Sequence, residues 1–193
     1  MVSRAHIAGA AGIALFGTAV FLVFPHPFAR SSQTDAAPSV QIARADSAHP
    51  IRLIIPVIRV DAAIEPIGLT PTGAMGAPKN PADVAWFTLG PRPGEIGSAV
   101  VDGHFGWKDN LPAVFDNLYT LHKGDRITVE DTDGMSSTFV VRELRTYGSN
   151  ENASDVFSSS DGKAHLNLIT CEGVWDSVSK SYSKRLVVFA DKE

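Results

Sequence analysis

Cys171 is the only cysteine among the 193 residues, and it ends the alternating stretch Asn-Leu-Ile-Thr-Cys at 167–171. Alternation of this kind predicts a β-strand, so the thiol should lie at a strand end. One cysteine excludes an intrachain disulfide and a cysteine-based structural zinc site, because each needs at least two. The thiol is therefore either a small buried apolar group or a nucleophile.

Two further residues with useful chemistry stand at the ends of predicted strands. His104 follows the apolar stretch 98–102 and Gly103, and Arg185 opens the apolar stretch 185–190. Each has an ordinary structural explanation, as a turn histidine or a solvated arginine at a strand edge. Together with Cys171 they could perform acyl transfer, since a thiolate attacks, an imidazole moves the proton and a guanidinium stabilises the oxyanion.

About eight short strands, little helix and no internal repeat must position these residues. The segments predicted to form these strands are 51–61, which Pro56 interrupts, 63–68, 84–87, 98–102, 126–130, 138–146, 167–171 and 185–190. Asp-Thr-Asp-Gly at 131–134 predicts a hairpin turn, and residues 111–121 contain a short helical pattern. Many short strands separated by Pro and Gly indicate an all-β barrel or sandwich.

Two longer connections border the predicted strand that ends at Cys171. Residues 150–162 are polar and rich in serine, with Val156 and Phe157 as an apolar anchor or a short helical turn. Residues 172–184 read as a second long loop before the closing strand.

The N-terminal part has a different composition. Residues 7–24 carry no charge and are mostly Ala, Ile, Leu, Val and Phe, long enough to cross a hydrocarbon core. We expect residues 1–28 to be an uncleaved membrane anchor, because the apolar region continues into Phe24-Pro25 without the small-residue site of a signal peptide. Residues 29–49 should form a flexible linker, and residues 50–193 a single folded domain.

The charge balance argues against nucleic acid as a partner. The chain has 17 Lys and Arg against 21 Asp and Glu, a formal net charge of −4, and it has no block of basic residues. A broad electrostatic contact with a polyanion is therefore disfavoured.

Three motifs in this order resemble the sortase family of cysteine transpeptidases. They are Gly103-His104 after an apolar strand, Leu-Ile-Thr-Cys at 168–171, and Lys-Arg-Leu-Val-Val-Phe-Ala at 184–190. The resemblance covers about residues 51–190. Pro-Arg-Pro-Gly-Glu at 91–95 and Pro-Ala-Val-Phe at 112–115 are similar to the class E and F branches.

The resemblance implies an eight-stranded sortase-type β-barrel with one or two short helices, preceded by an N-terminal transmembrane helix. It implies that His104 is the acid and base, Cys171 the nucleophile, and Arg185 the group that stabilises the oxyanion or substrate. Thr170 is expected at the substrate site, where the backbone amide that follows it could donate to the oxyanion. Val156 and Phe157 are expected either to line the substrate groove or to pack their own loop.

The implied reaction begins with attack by Cys171 on a peptide bond in a C-terminal sorting motif of the Leu-Pro-x-Thr-Gly kind. An amine from a cell-wall precursor or a pilin lysine would then resolve the thioester. The partners would be surface proteins with such a motif, the amine acceptor and the membrane, with the domain outside the cytoplasm. No cofactor is expected, and calcium dependence stays open, because Asp131 and Asp133 are explained as turn residues.

Two alternatives remain. The first alternative is the class of transpeptidases that act on peptidoglycan peptides. Those enzymes have an arginine soon after the cysteine, whereas Glu-Gly-Val follows Cys171 here, and this difference weakens the alternative. A membrane-tethered, non-catalytic β-domain that binds a surface partner is the second alternative. It gains support if Cys171, His104 and Arg185 do not converge on one groove.

Overall fold

A computed structural model describes residues 48–149, 151–178 and 181–193. The described chain forms a closed barrel of eight strands, in the order β1-β2-β3-β4-β7-β8-β6-β5. The strands are β1 Pro50–Ile55, β2 Val60–Ile67, β3 Val84–Phe87, β4 Gly97–Gly103, β5 Arg126–Asp131, β6 Ser136–Gly148, β7 Ala164–Asp176 and β8 Ser181–Lys192. The predicted eight-stranded, mainly β architecture is confirmed.

The strand pairing places three functionally interesting strands side by side. β4 pairs with β7 in parallel, and β7 pairs with β8 in antiparallel orientation. β2 and β3 are also parallel, and β1 closes the barrel against β5. The strands predicted to carry His104, Cys171 and Arg185 are therefore neighbours, although more than 60 residues separate the first two in sequence.

Alternating apolar residues fill the barrel interior. In β2, for example, Val60, Ala62 and Ile64 are buried, while Asp61 and Ala63 are exposed. Such alternation directs one face of each strand to the core and the other outward. The largest fully buried interior side chains are Phe115, Phe139, Leu53, Ile55, Leu118, Ile127, Leu166 and Leu168.

A second, smaller apolar cluster covers the outer face of the barrel. Its buried members are Val100, Tyr147, Val156, Val187 and Phe189. Val156 belongs to the short helix α1, Ser154–Phe157, and its carbonyl oxygen accepts a hydrogen bond of 2.6 Å from Nδ2 of the buried Asn167. The predicted helical turn within 150–162 is therefore present, and it is packed against the sheet.

The predicted hairpin between β5 and β6 is confirmed. Oδ1 of Asp131 accepts hydrogen bonds from the backbone N–H groups of Asp133 and Met135, at 3.0 and 2.9 Å. Gly134 has φ of 76°, a conformation that glycine adopts without strain. The helical pattern at 111–121 corresponds only to a 3₁₀ turn, Leu118–Thr120, and a second such turn, Lys108–Asn110, precedes it.

The prediction of a long loop at 172–184 is wrong. β7 continues past Cys171 to Asp176, and β8 begins again at Ser181, so that Trp175 pairs with Tyr182. A bulge lies between Glu172 and Trp175. Most side chains of this extension are exposed, and strand pairing without a buried face leaves no apolar alternation to recognise in the sequence.

The predicted anchor, residues 1–28, lies outside the described residues, as does nearly all of the predicted linker 29–49. In the part of the chain that is described, no helix has the length and apolar character needed to cross a membrane.

Candidate active site

Strand register brings Cys171 and Arg185 to opposite positions on β7 and β8. On the other side of β7, Asp102 of β4 pairs with Ile169, and the Thr170 hydroxyl donates a hydrogen bond of 2.7 Å to the Gly103 carbonyl oxygen. The next residues along these two parallel strands are His104 and Cys171. Because neighbouring strands lie about 5 Å apart, this register places the backbones of His104 and Cys171 next to each other.

His104, Cys171 and Arg185 all line one cavity of about 1200 Å³. The cavity lies between the extended β7–β8 hairpin and the segment that follows β4. Its other lining residues are Phe105, Gly106, Trp107, Lys108, Asn110, Leu111, Pro112, Asp116, Tyr119, Trp175, Ser181 and Tyr182. Tyr182 makes edge-to-face contacts with Trp175 and Phe105, at ring-centroid distances of 5.2 and 5.8 Å. The two walls thus meet through aromatic rings.

His104 is held by the backbone before and after it. The backbone N–H of Phe115 donates to the His104 carbonyl oxygen at 3.0 Å, and the Phe115 ring lies directly against Gly103. A Cβ at Gly103 would approach that ring to 2.4 Å, so only glycine fits before the histidine. The imidazole ring packs at 4.6 Å from Trp107, and its Nε2 lies 2.7 Å from the carbonyl oxygen of Pro78.

Arg185 makes hydrogen bonds to neutral groups and forms no ion pair with another described residue. Its Nη1 donates to the carbonyl oxygens of Tyr182 and Lys184, at 3.1 and 2.9 Å, and Nη2 lies 3.4 Å from the Ser181 hydroxyl. Among the described residues, no carboxylate lies within salt-bridge distance of it. The neutral partners orient the guanidinium and leave its positive charge to act on groups in the cavity.

The environment of Cys171 favours the neutral thiol. Burial raises the pKa of Cys171, the positive charge of Arg185 opposes that rise, and the negative charge of Asp102 adds to it. Since the thiolate is the reactive form, a base must take up the proton when the sulfur attacks. His104 is the imidazole at this cavity.

Asp102 does not line the cavity, but its charge interacts with both Cys171 and Arg185, and the sequence did not single it out. Burial raises its pKa to about 7, although Arg185 and the Gly103 N–H both act to lower it. In a strand, residues two apart share a face, so the spacing between Asp102 and His104 was a usable signal. Whether the carboxyl is buried, however, depends on the packing of β3, β4 and β7 around it.

The other predicted site residues do not line the cavity. Thr170 is 1% exposed, and its hydroxyl is bonded to the Gly103 carbonyl, so its side chain ties β7 to β4 instead of facing a ligand. Val156 is also 1% exposed and belongs to the outer apolar cluster. Phe157 is 40% exposed and contacts Phe87 edge to face, with ring centroids 5.7 Å apart. Of the two expectations for this loop, lining a groove or packing, the second therefore applies to Val156.

A metal centre has no support in the described part of the chain, where no group of three or more His, Cys, Asp or Glu side chains is arranged to hold an ion. The carboxylate of Asp131 is engaged by its own hairpin turn.

The fold and the cavity together define a β-barrel with a thiol, an imidazole and a guanidinium at one site. The family model described as Sortase domain matches residues 53–193, and the chain therefore belongs to the sortase family, whose members are generally cysteine transpeptidases. The resemblance found in the sequence motifs is confirmed.

Solved sortases share the fold at low sequence identity. Sortase C-1 from Actinomyces oris is 24% identical, with a TM-score of 0.59 over 75% of this chain and 74% of that chain. Sortase C1 of Streptococcus agalactiae, in a complex with MTSET, is 24% identical, with a TM-score of 0.58 over 74% and 68%. Sortase A from Corynebacterium diphtheriae is 21% identical, with a TM-score of 0.60 over 78% and 63%. No curated protein matches the sequence.

Proposed function

We propose that this chain is a membrane-anchored cysteine transpeptidase that cleaves a C-terminal sorting motif of the Leu-Pro-x-Thr-Gly kind and transfers the protein to an amine. The observation that carries the proposal is the meeting of Cys171, His104 and Arg185 at one cavity. The non-catalytic alternative would have gained support if these residues lay apart. Membership of the sortase family supports the same reaction class.

In the first half of the reaction, the Cys171 proton passes to His104 and the sulfur attacks the carbonyl carbon of the scissile peptide bond. The resulting oxyanion is stabilised by the guanidinium of Arg185, which has no competing carboxylate ion pair within the described structure. The C–N bond then breaks, and the leaving amine takes its proton from His104. A thioester on Cys171 remains.

In the second half, an acceptor amine attacks the thioester and gives its proton to His104. The C–S bond breaks, and the Cys171 thiol is restored. Water would compete with the amine, and the aromatic walls of the cavity favour its exclusion. The acceptor is a cell-wall precursor or a pilin lysine, and the proposed anchor at residues 1–28 would hold the domain at the outer face of the membrane.

The test is detection of the covalent intermediate. The full-length chain is incubated with a panel of sorting-motif peptides and examined by mass spectrometry, with hydroxylamine then added as a strong acceptor. We expect an acyl adduct on Cys171 that hydroxylamine removes as the hydroxamate. Cys171→Ala should give neither adduct nor cleavage.

A variant at an exposed residue serves as the control for a nonspecific loss of activity. Arg126→Ala changes an exposed arginine that pairs with Glu193 and does not line the cavity, and it should leave adduct formation unchanged. Absence of an adduct with every motif would reject the transpeptidase and favour the binding domain, whereas full cleavage by Cys171→Ala would reject Cys171 as the nucleophile.

A further inference from the structure

The hydrogen bond between His104 and Pro78 determines which ring nitrogen can exchange a proton. A carbonyl oxygen only accepts hydrogen bonds, so the Nε2 that lies 2.7 Å from Pro78 O must carry the hydrogen. In the neutral ring, the lone pair is then on Nδ1. Nδ1 has no hydrogen-bond partner among the described residues. It is therefore the atom that can receive the thiol proton.

The Pro78 carbonyl is itself held in place from the barrel. Pro78 is buried, whereas its neighbours Ala77 and Lys79 are exposed, so the proline is the inward-facing point of this connection. The backbone N–H of Lys79 donates a hydrogen bond of 2.6 Å to Oε1 of Glu65 in β2. A hydrogen bond to an ionised acceptor is stronger than one between neutral groups.

The same connection is attached on its other side to the segment that carries Phe115. The Val114 N–H donates to the Pro81 carbonyl oxygen at 2.8 Å, and the Asn80 side chain bonds Asp83 at 3.0 Å to form a turn. Pro78 adds rigidity because its φ is fixed by the ring. The Pro78 carbonyl is thus braced by the residues that directly follow it in the chain.

We propose that Glu65 is a positioning residue for the transpeptidase reaction, holding Pro78 through the Lys79 amide so that His104 presents Nδ1 to Cys171. In Ser-His-Asp triads, a carboxylate bonded to the imidazole sets its tautomer and orientation. Here the backbone carbonyl of Pro78 sets the tautomer and orientation of His104, and the carboxylate of Glu65 acts indirectly, by holding that carbonyl. The inference rests on the proposed function for its catalytic meaning, while the tautomer itself is independent of activity.

The primary readout is the protonation pattern of the His104 ring. In the full-length chain labelled with 15N-histidine, NMR should show that the neutral form of His104 carries its hydrogen on Nε2, the signal being assigned by its loss in His104→Ala. In Glu65→Ala, we expect a mixture of the two tautomers. We also expect kcat to fall about 10- to 100-fold with little change in KM, because a misplaced base affects the chemical step.

Two other variants distinguish positioning from general stability. Glu65→Gln keeps an acceptor for the Lys79 N–H and should recover most of the tautomer and of kcat. Glu95→Ala is the matched control, since it removes another carboxylate that accepts a backbone N–H, that of Arg92 at 2.9 Å, and it should change neither readout.

The outcomes separate this inference from the proposed function. Unchanged tautomer and kcat in folded Glu65→Ala would overturn the inference while leaving the transpeptidase intact. If Glu65→Ala shifts the tautomer but the wild-type chain forms no thioester, the positioning of His104 by Glu65 is retained and the proposed function is rejected. If Glu65→Ala does not fold, Glu65→Met replaces it, because methionine keeps the length of the side chain but has no oxygen to accept the Lys79 N–H, and a tautomer and kcat identical to wild type in that variant would overturn the inference.

Discussion

Two histidines lie at opposite ends of the face that β4, β7 and β8 turn outward, and they are bound very differently. Nδ1 of His165 lies 2.8 Å from Asp191 and its Nε2 lies 3.0 Å from Asp161, and the residue is only 5% exposed. His104 has one nitrogen on a neutral carbonyl and one without a partner among the described residues. A ring with both nitrogens engaged is a structural link, whereas a ring with one free nitrogen can move protons.

Two arginines, one at each end of this face, repeat the contrast. Arg142, at the His165 end, is paired with Asp191 at 2.7 Å. Arg185, at the His104 end, is oriented by carbonyl oxygens of its own strand. The end of the face that carries His165 and Arg142, both bonded to carboxylates, stabilises the barrel. The other end retains a charge, a lone pair and a thiol that a substrate can use.

The largest expected difference between the two ends is in catalysis. His104→Ala should lower the rate of transpeptidation by about 10²- to 10⁴-fold, because a positioned acid and base is removed. His165→Ala should keep activity at temperatures where it remains folded. The measurement is kcat/KM with a sorting-motif peptide and an amine acceptor. Equal losses in the two variants would contradict the comparison.

The arginine pair should give the next largest difference. Arg185→Lys should lose about 10- to 100-fold in kcat, since a compact ammonium cannot reproduce the planar guanidinium that faces the oxyanion. Arg142→Lys is the control at the other end, and single-turnover kinetics of both variants provide the measurement. Wild-type kinetics in Arg185→Lys would remove this side chain from the mechanism.

Stability should show the reverse order. His165→Ala should lower the free energy of unfolding by about 1–3 kcal/mol, because two hydrogen bonds to carboxylates are lost. His104→Ala should cost less, as its ring makes one hydrogen bond, and that bond is to the neutral carbonyl of Pro78. Urea denaturation at pH 7 measures both. If His104→Ala proved the more destabilising, the hydrogen bonds of His165 to Asp161 and Asp191 would not be the interactions that stabilise this face.

Asp102 should produce the smallest effect, and one that depends on pH. Its pKa is about 7 in the folded chain and 3.8 in the unfolded chain, so the folded state binds more protons between those values. Stability therefore falls as the pH rises from about 4 to 7 and is constant above that range. Asp102→Asn removes this loss and should be more stable than wild type at pH 8 by about 1–2 kcal/mol, with little difference at pH 4.

Two further measurements sharpen the Asp102 prediction. Removing its negative charge should lower the pKa of Cys171, which the pH dependence of alkylation by iodoacetamide would show. At the other end of the face, hydrogen bonding by His165 lowers the pKa of Asp161, so Asp161→Asn should destabilise the chain at neutral pH. The two aspartate variants should thus change stability in opposite directions, and the same sign for both would contradict this account.

Much of the barrel was predictable because the relevant signals are local. Apolar alternation identified the strands, and Asp-Thr-Asp-Gly at 131–134 identified the hairpin turn. The extension of β7 and β8 beyond Cys171 was missed, since its pairing depends on register between two strands and leaves no buried face. Residue types and family motifs also singled out Cys171, His104 and Arg185 before any geometry was known.

The sequence by itself determined which residues could do chemistry and the class of fold that carries them. Only the tertiary structure decided how the side chains of the site are oriented and how their pKa values are shifted. The Pro78 carbonyl that orients His104 lies 26 residues away in sequence, and the burial that raises the pKa of Asp102 comes from neighbouring strands. Orientation and pKa depend on distance and solvent exclusion, and these exist only when the barrel has closed.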